Sequence, residues 1–123
     1  MAARAADVKI IANASVKAAA VSVEEIRGVF LATKSSLSDG THVEPVLLKG
    51  GAAHEAFVKQ YLGKTDAGLE NYYRSLVFTG RGLMPTTLAS DQVVIEYVAK
   101  TRGAVGYVSA VMNTPGVKTL EIK

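Results

Sequence analysis

An apolar segment followed by two glycines lies near the middle of the chain and reads Pro45-Val46-Leu47-Leu48-Lys49-Gly50-Gly51-Ala52-Ala53-His54-Glu55-Ala56-Phe57. An apolar run that ends in Lys-Gly-Gly and passes directly into a helical pattern is typical of a buried strand that leads into a helix at the edge of a sheet. The N–H groups of the first helical turn, the positive end of the helix dipole and Lys49 all favour a negative group at that point. A purely structural strand, turn and helix gives the same pattern, so the residues alone leave both interpretations open.

The composition is that of one globular domain. The chain has 123 residues, of which 49% are apolar and 20% are charged, so it can bury a single core. The 14 basic and 11 acidic side chains leave a net charge of +3, and the scattered basic residues do not form the clustered face that nucleic-acid binding needs. The absence of cysteine excludes disulfides, thiol catalysis and cysteine-based zinc sites. No apolar run approaches the roughly 18 residues of a membrane span.

The first six residues, Met-Ala-Ala-Arg-Ala-Ala, place small residues in an Ala-x-Ala arrangement just before a predicted strand. This arrangement resembles the end of a signal peptide. We therefore interpret residues 1–6 as the remnant of a signal peptide or a segment left by cloning, and residues 7–123 as one domain. The same pattern predicts an exported protein that is periplasmic or secreted.

Hydrophobic periodicity and turn residues predict an α/β fold, in which helices flank a small mixed sheet. Strands are predicted at 7–12, 42–48, 104–108 and 117–122, the last at an edge of the sheet. Helices are predicted after the capping residues Ser22, Thr65 or Asp66, and Ser90, and between Gly51 and Gly63. Gly106, inside a predicted strand, indicates that another backbone or a ligand approaches closely.

Three separated pieces of the chain resemble the substrate-binding proteins of phosphate ABC transporters. The first piece, residues 24–34 followed by Asp39-Gly40, is similar to the helix and loop that open the second lobe in that family. The second, Phe78-Thr79-Gly80-Arg81-Gly82, lies between the other two, as it does in short, single-lobe relatives. The third, residues 94–108, resembles the closing helix and strand, and its Gly-Ala-Val-Gly-Tyr-Val ending is the most specific match. The resemblance spans most of residues 8 to 122.

This resemblance implies one lobe of a type II periplasmic binding protein. In the full-length relatives, phosphate is held between two lobes, and the second lobe supplies an Arg-x-x-x-Gly-Ser-Gly-Thr type loop at a helix N-terminus. The matching place here is Lys49-Gly50-Gly51-Ala52-Ala53, which keeps the glycines but not the arginine, serine and threonine. An exposed helix end adds only about 0.3–1 kcal/mol per charge interaction. We therefore expect at most a millimolar phosphate site, equivalent to about −4 kcal/mol.

Two functional hypotheses follow. The first is a non-catalytic solute-binding-like domain that binds phosphate or another small oxyanion weakly, with Arg81 as an auxiliary contact to a site made of Lys49, Gly50, Gly51, Ala52 and Ala53. The second is a protein-interaction module, in which the face that normally closes on the other lobe meets a protein partner or a second copy of the chain. Retention of the glycines favours the first hypothesis, and loss of the side-chain donors favours the second.

Catalytic and metal-binding patterns are weak in this sequence. No pair of carboxylates has the pattern of a general acid and base, and the serines lack a nucleophile elbow. His42 and His54 have no partners at metal-ligand spacing and are expected at surface or capping positions. The tyrosines are expected in the core with their hydroxyls at the rim. We therefore expect no enzyme activity, no metal and no cofactor.

Overall fold

The computed structural model describes residues 8–37, 40–82 and 84–122. Within these residues a six-stranded sheet is flanked by helices, which confirms the predicted α/β fold. The strands are β1 (Val8–Ala12), β2 (Ala20–Val21), β3 (Glu44–Leu48), β4 (Thr86–Leu88), β5 (Ala104–Ser109) and β6 (Lys118–Ile122). The helices are α1 (Val23–Phe30), α2 (Ala52–Phe57), α3 (Asp66–Phe78) and α4 (Asp91–Lys100), and α2 continues as a π-helical segment (Val58–Leu62). The interpreted segment 1–6 lies outside the described residues.

The sheet is mixed and has the strand order β2-β6-β1-β5-β3-β4. Strands β3, β4 and β5 are parallel, and β1 runs antiparallel to both β5 and β6. The carboxyl ends of the three parallel strands therefore lie at one edge of the sheet. In open α/β sheets, ligands bind outside this edge.

The sequence pattern misses two short strands. β2 has two residues and lies just before α1, and β4 has three residues between α3 and α4, so neither is among the four predicted strands. Because β2 pairs with β6, the predicted edge position of β6 is wrong. Strands this short have too few residues to establish a period of two.

Capping residues set the starts of three helices. Ser22 and Glu25 form the predicted capping box on α1, with both hydrogen bonds at 3.1 Å. Thr65 caps α3 and Ser90 caps α4, each through its side-chain hydroxyl. Gly63 ends the helical stretch that begins with α2, in the left-handed conformation expected of a C-terminal glycine.

Successive residues of β5 pack against helices on opposite faces of the sheet. On one face the ring of Tyr107 stacks on Phe57, with ring centroids 3.8 Å apart, and Phe30 meets Phe57 edge-on at 4.8 Å. On the other face a Cβ added at Gly106 would lie 3.0 Å from Val94 Cγ1 of α4. The close neighbour that Gly106 predicts is therefore a helix side chain.

The apolar face of α3 is narrow, and the last two apolar residues of the helix lie outside it. Leu69, Tyr73 and Leu76 are buried, whereas Val77 is 48% exposed. Phe78, the last residue of the helix, is 90% exposed. Val77 therefore lies outside the apolar face that Leu69, Tyr73 and Leu76 form.

Replacing Gly106 with valine tests the close packing of α4 on the sheet. We expect Gly106→Val to lower the free energy of unfolding by about 1–3 kcal/mol, because the new methyl groups overpack the contact with Val94. Combining it with Val94→Ala should recover about 1 kcal/mol relative to the sum of the two single changes. Chemical denaturation of the wild type, the two single variants and the double variant measures the coupling energy between the two positions. Strictly additive losses of stability would contradict the contact.

Candidate functional site

The start of α2 lies at the carboxyl edge of the sheet, immediately after β3. Gly51 is its N-cap residue, with a φ of 98° that favours glycine, and no side chain caps the helix within the part of the chain that the structure describes. The first helical bond runs from the Glu55 N–H to the Gly51 carbonyl at 3.0 Å. The N–H groups of Ala52 and Ala53 precede that bond, and such groups are suited to an anion.

Lys49 and the two glycines form an exposed turn between β3 and α2. The backbone N–H of Lys49 donates to the Leu88 carbonyl at 2.8 Å, so the pairing of β3 with β4 extends to this residue. Its side chain is exposed, as are Gly50, Gly51 and Ala52, whereas Ala53 is buried. Five of the six predicted site residues are therefore consecutive at one edge of the sheet, and one of them, Lys49, supplies a cationic side chain.

Arg81 lies elsewhere. It lines a cleft with Glu44, Pro45 and Thr86, which are at the amino ends of β3 and β4. β3 separates this cleft from Lys49 by about 15 Å, given a rise of roughly 3.3 Å per residue. The structure does not bring Arg81 together with the other predicted site residues.

A buried chain of hydrogen bonds anchors the first turn of α2 from inside. The Tyr107 hydroxyl accepts a hydrogen bond from the Leu48 N–H at 3.1 Å and lies 2.5 Å from His54 Nδ1. His54 Nε2 is 2.9 Å from Asp66 Oδ1 at the start of α3. The expected surface or capping position of His54 is wrong, because its side chain is buried, with only 3% exposed. The sequence contains an indication of this burial, since His54 lies three residues before Phe57 and so falls on the apolar stripe of the helix.

The hydrogen-bond partners of Tyr107 and His54 determine which atoms carry the protons in this series of hydrogen bonds. Burial raises the pKa of the Tyr107 phenol far above its ordinary value, so the hydroxyl keeps its proton. The Leu48 N–H can only donate, and the proton of Tyr107 therefore goes to His54 Nδ1. His54 must then carry its own proton on Nε2 and donate it to Asp66. The expected position of the tyrosine hydroxyls at the rim is wrong for Tyr107, whose side chain is fully buried.

An acid, an imidazole and a hydroxyl in this order resemble a catalytic relay, but the surroundings favour a structural role. The hydroxyl of Tyr107 is buried and already accepts a backbone N–H. The cavity beside His54 and Asp66 holds only about 50 Å³, which leaves no space for a substrate. Among the residues that the structure describes, no group of three or more acidic or histidine side chains could hold a metal ion. In the same part of the chain, no helix has the length and apolar character needed to cross a membrane.

Comparison with known proteins identifies the fold. No protein-family model matches the sequence, and no curated protein matches it. The ABC-type phosphate transport receptor from Vibrio cholerae superposes with a TM-score of 0.68 at 13% identity, over 94% of this chain and 45% of that one. A putative phosphate ABC transporter substrate-binding protein with bound phosphate, from Clostridium perfringens, superposes with a TM-score of 0.70 at 10% identity. The match covers 94% of this chain and 44% of that one. PstS from Borrelia burgdorferi superposes with a TM-score of 0.70 at 10% identity, over 94% of this chain and 47% of that one.

These structures define the class of fold. The chain spans less than half the length of each of the three proteins, which corresponds to one lobe of a periplasmic binding protein. The predicted resemblance to the substrate-binding proteins of phosphate ABC transporters is therefore confirmed at the level of the fold. The identities are too low to transfer a ligand.

Replacing Tyr107 with phenylalanine tests the buried hydrogen bonds that its hydroxyl makes. Tyr107→Phe leaves two core groups, the Leu48 N–H and His54 Nδ1, without a partner, so we expect the free energy of unfolding to fall by about 2–4 kcal/mol. Tyr73→Phe is the matched control, because the Tyr73 hydroxyl is also buried but donates to one group, the Phe30 carbonyl, at 2.5 Å. Its cost should be about 1–2 kcal/mol. Urea denaturation measures both, and a smaller loss for Tyr107→Phe than for Tyr73→Phe would contradict the account.

Proposed function

We propose that this domain binds a small oxyanion, with phosphate as the first candidate, at the start of α2. The N–H groups of Gly51 to Ala53 act as donors, and Lys49 supplies the opposite charge. The observation that carries the proposal is the missing cap: α1, α3 and α4 each start with a capping hydroxyl, whereas α2 starts at a bare glycine beside an exposed lysine. The bound phosphate named for the Clostridium perfringens structure supports the same class of ligand.

The site is exposed, which limits its affinity. Lys49, Gly50, Gly51 and Ala52 all face solvent, so an anion there keeps part of its hydration and the helix charge is screened. An exposed helix end and one lysine support a dissociation constant in the millimolar range, equivalent to about −4 kcal/mol. Arg81 is not part of the proposed site because it lies at the other end of β3.

The domain is proposed to act as a non-catalytic solute-binding-like protein outside the cytoplasm, in the periplasm or after secretion. Its fold neighbours include a phosphate transport receptor and a transporter substrate-binding protein, which supports a role connected with transport. The buried setting of Tyr107 and His54 supports the absence of catalysis, because the imidazole and the hydroxyl are held inside the core.

A second candidate function is a protein-interaction module. The observation that favours it is an apolar groove at the end of α3, where Val77, Phe78 and Met84 are 48%, 90% and 51% exposed. Apolar contacts of this kind draw a protein partner or a second copy of the chain, and their strength does not fall as salt is added. Binding at the start of α2 must weaken with salt, so ionic strength separates the two functions.

The test is an amide-resolved NMR titration with phosphate at low salt, with chloride at matched ionic strength as the control. We expect saturable shifts centred on Gly50, Gly51 and Ala52, with a dissociation constant in the millimolar range. Ala52→Glu should weaken binding about fivefold or more, since a like charge about 4 Å away costs about 1 kcal/mol in water. A glutamate in the first turn favours the helix, so this variant should remain folded.

Ala52→Gln is the matched control, because it has the size of glutamate without the charge and should bind phosphate within about twofold of the wild type. Lys49→Met should weaken binding independently, by removal of the opposite charge. Equal affinity for phosphate in Ala52→Glu and Ala52→Gln would overturn the site. The absence of any saturable shift at tens of millimolar phosphate would overturn oxyanion binding and leave the interaction module.

A further inference from the structure

A cleft of about 470 Å³ opens at the amino ends of β3 and β4, at the opposite end of the sheet from Lys49. The segment after α1 and the segment after α3 form its sides, and strand residues Glu44 and Thr86 contribute to its lining. The volume is within the range of small-molecule sites, roughly 300–1,000 Å³. The proposed oxyanion site does not use this cleft.

Two cationic side chains line the cleft. Lys34 follows α1 and Arg81 follows α3, so the two segments that form its sides each supply one. Within the described residues, neither cation has a carboxylate within 4.0 Å. Cations that line a concave surface and have no carboxylate within salt-bridge distance suit the carboxylate of a ligand.

Contacts with the last turn of α1 hold Lys34 in position. A Cβ at Gly28 would lie 2.8 Å from Lys34 Cδ, so the aliphatic stem of the lysine occupies the space that a larger residue would fill. The Lys34 N–H donates to the Gly28 carbonyl at 3.1 Å. Ala32, between them, has a φ of 64°, an uncommon conformation for alanine that reverses the chain after the helix. These contacts hold the lysine stem against α1.

Glu44 brings a negative charge to the same cleft. Its Oε2 accepts hydrogen bonds from the Tyr97 hydroxyl at 2.6 Å and from Thr86 Oγ1 at 3.4 Å. Oε1 accepts none from the described residues, which leaves one carboxylate oxygen available to a donor. The remaining lining includes the apolar residues Pro45, Met84 and Pro85 together with the hydroxyl residues Thr33 and Ser35.

We propose that this cleft binds a small zwitterion of the α-amino-acid type with an apolar side chain. The ligand carboxylate contacts Lys34 and Arg81, its ammonium group contacts Glu44, and its side chain packs on the apolar lining. An inorganic anion does not match this pattern, because Glu44 repels it and the apolar surface contributes nothing to its binding. The cleft is thus a second site, distinct in place and chemistry from the start of α2.

The test uses leucine and two analogues that each lack one charge, 4-methylpentanoate without the ammonium group and 3-methylbutylamine without the carboxylate. Amide-resolved NMR titration should show saturable shifts by leucine at Lys34, Glu44 and Arg81. We expect each analogue to bind about tenfold more weakly, which corresponds to one charge-assisted hydrogen bond of about 1.4 kcal/mol.

Two variants assign the contacts. Glu44→Gln keeps a side-chain oxygen for Tyr97 but removes the charge, so it should weaken leucine binding about tenfold without weakening the binding of 4-methylpentanoate, which Glu44 repels. Arg81→Met should weaken both of these ligands. Equal loss of leucine and 4-methylpentanoate binding in Glu44→Gln, or no saturable shift by leucine at tens of millimolar, would overturn the proposal. Phosphate binding at Gly50 to Ala52 is a separate readout and should persist in Glu44→Gln.

Discussion

The hydroxyl of Tyr107 is the contact on which the carboxyl edge of the sheet depends. It joins the end of β3 to α2 by accepting the Leu48 N–H and donating to His54, and His54 extends the chain to Asp66 at the start of α3. The ring of the same tyrosine stacks on Phe57, one helical turn further along α2. Because each buried polar group left unpaired costs about 1–3 kcal/mol, α2 cannot rotate or slide without losing several of these contacts.

This anchor explains how α2 can start without a cap. In α1, α3 and α4 a hydroxyl stabilises the first turn from outside, whereas in α2 the third residue, His54, is held from inside the core. The exposed side of the first turn is then free to face a ligand. The two proposed sites lie at opposite ends of β3 and use different chemistry: backbone N–H groups and Lys49 at one end, and separate charges of opposite sign beside apolar residues at the other.

The sequence predicts those parts of the structure that depend on neighbouring residues. Ser22, Thr65 and Ser90 define helix starts because capping is local, and Lys49 to Ala53 stay together because they are consecutive. The role of His54 depends on Tyr107, 53 residues away, and only the fold brings the two together. The sequence analysis expects Arg81 near the glycine turn. Its actual position depends on the path of the loop between α3 and β4, which no local sequence pattern predicts. The two- and three-residue strands β2 and β4 are too short for any periodicity to show.

A protonated Tyr107 hydroxyl donates to His54 and thereby fixes the start of α2. The most direct test is nitrogen-15 NMR of the His54 imidazole at neutral pH, which distinguishes a protonated ring nitrogen from a bare one. We expect a bare Nδ1 that couples across a hydrogen bond to the Tyr107 hydroxyl proton, and a protonated Nε2. A proton on Nδ1 would contradict this expectation, because the Tyr107 hydroxyl would then have no acceptor in the chain of bonds that holds α2.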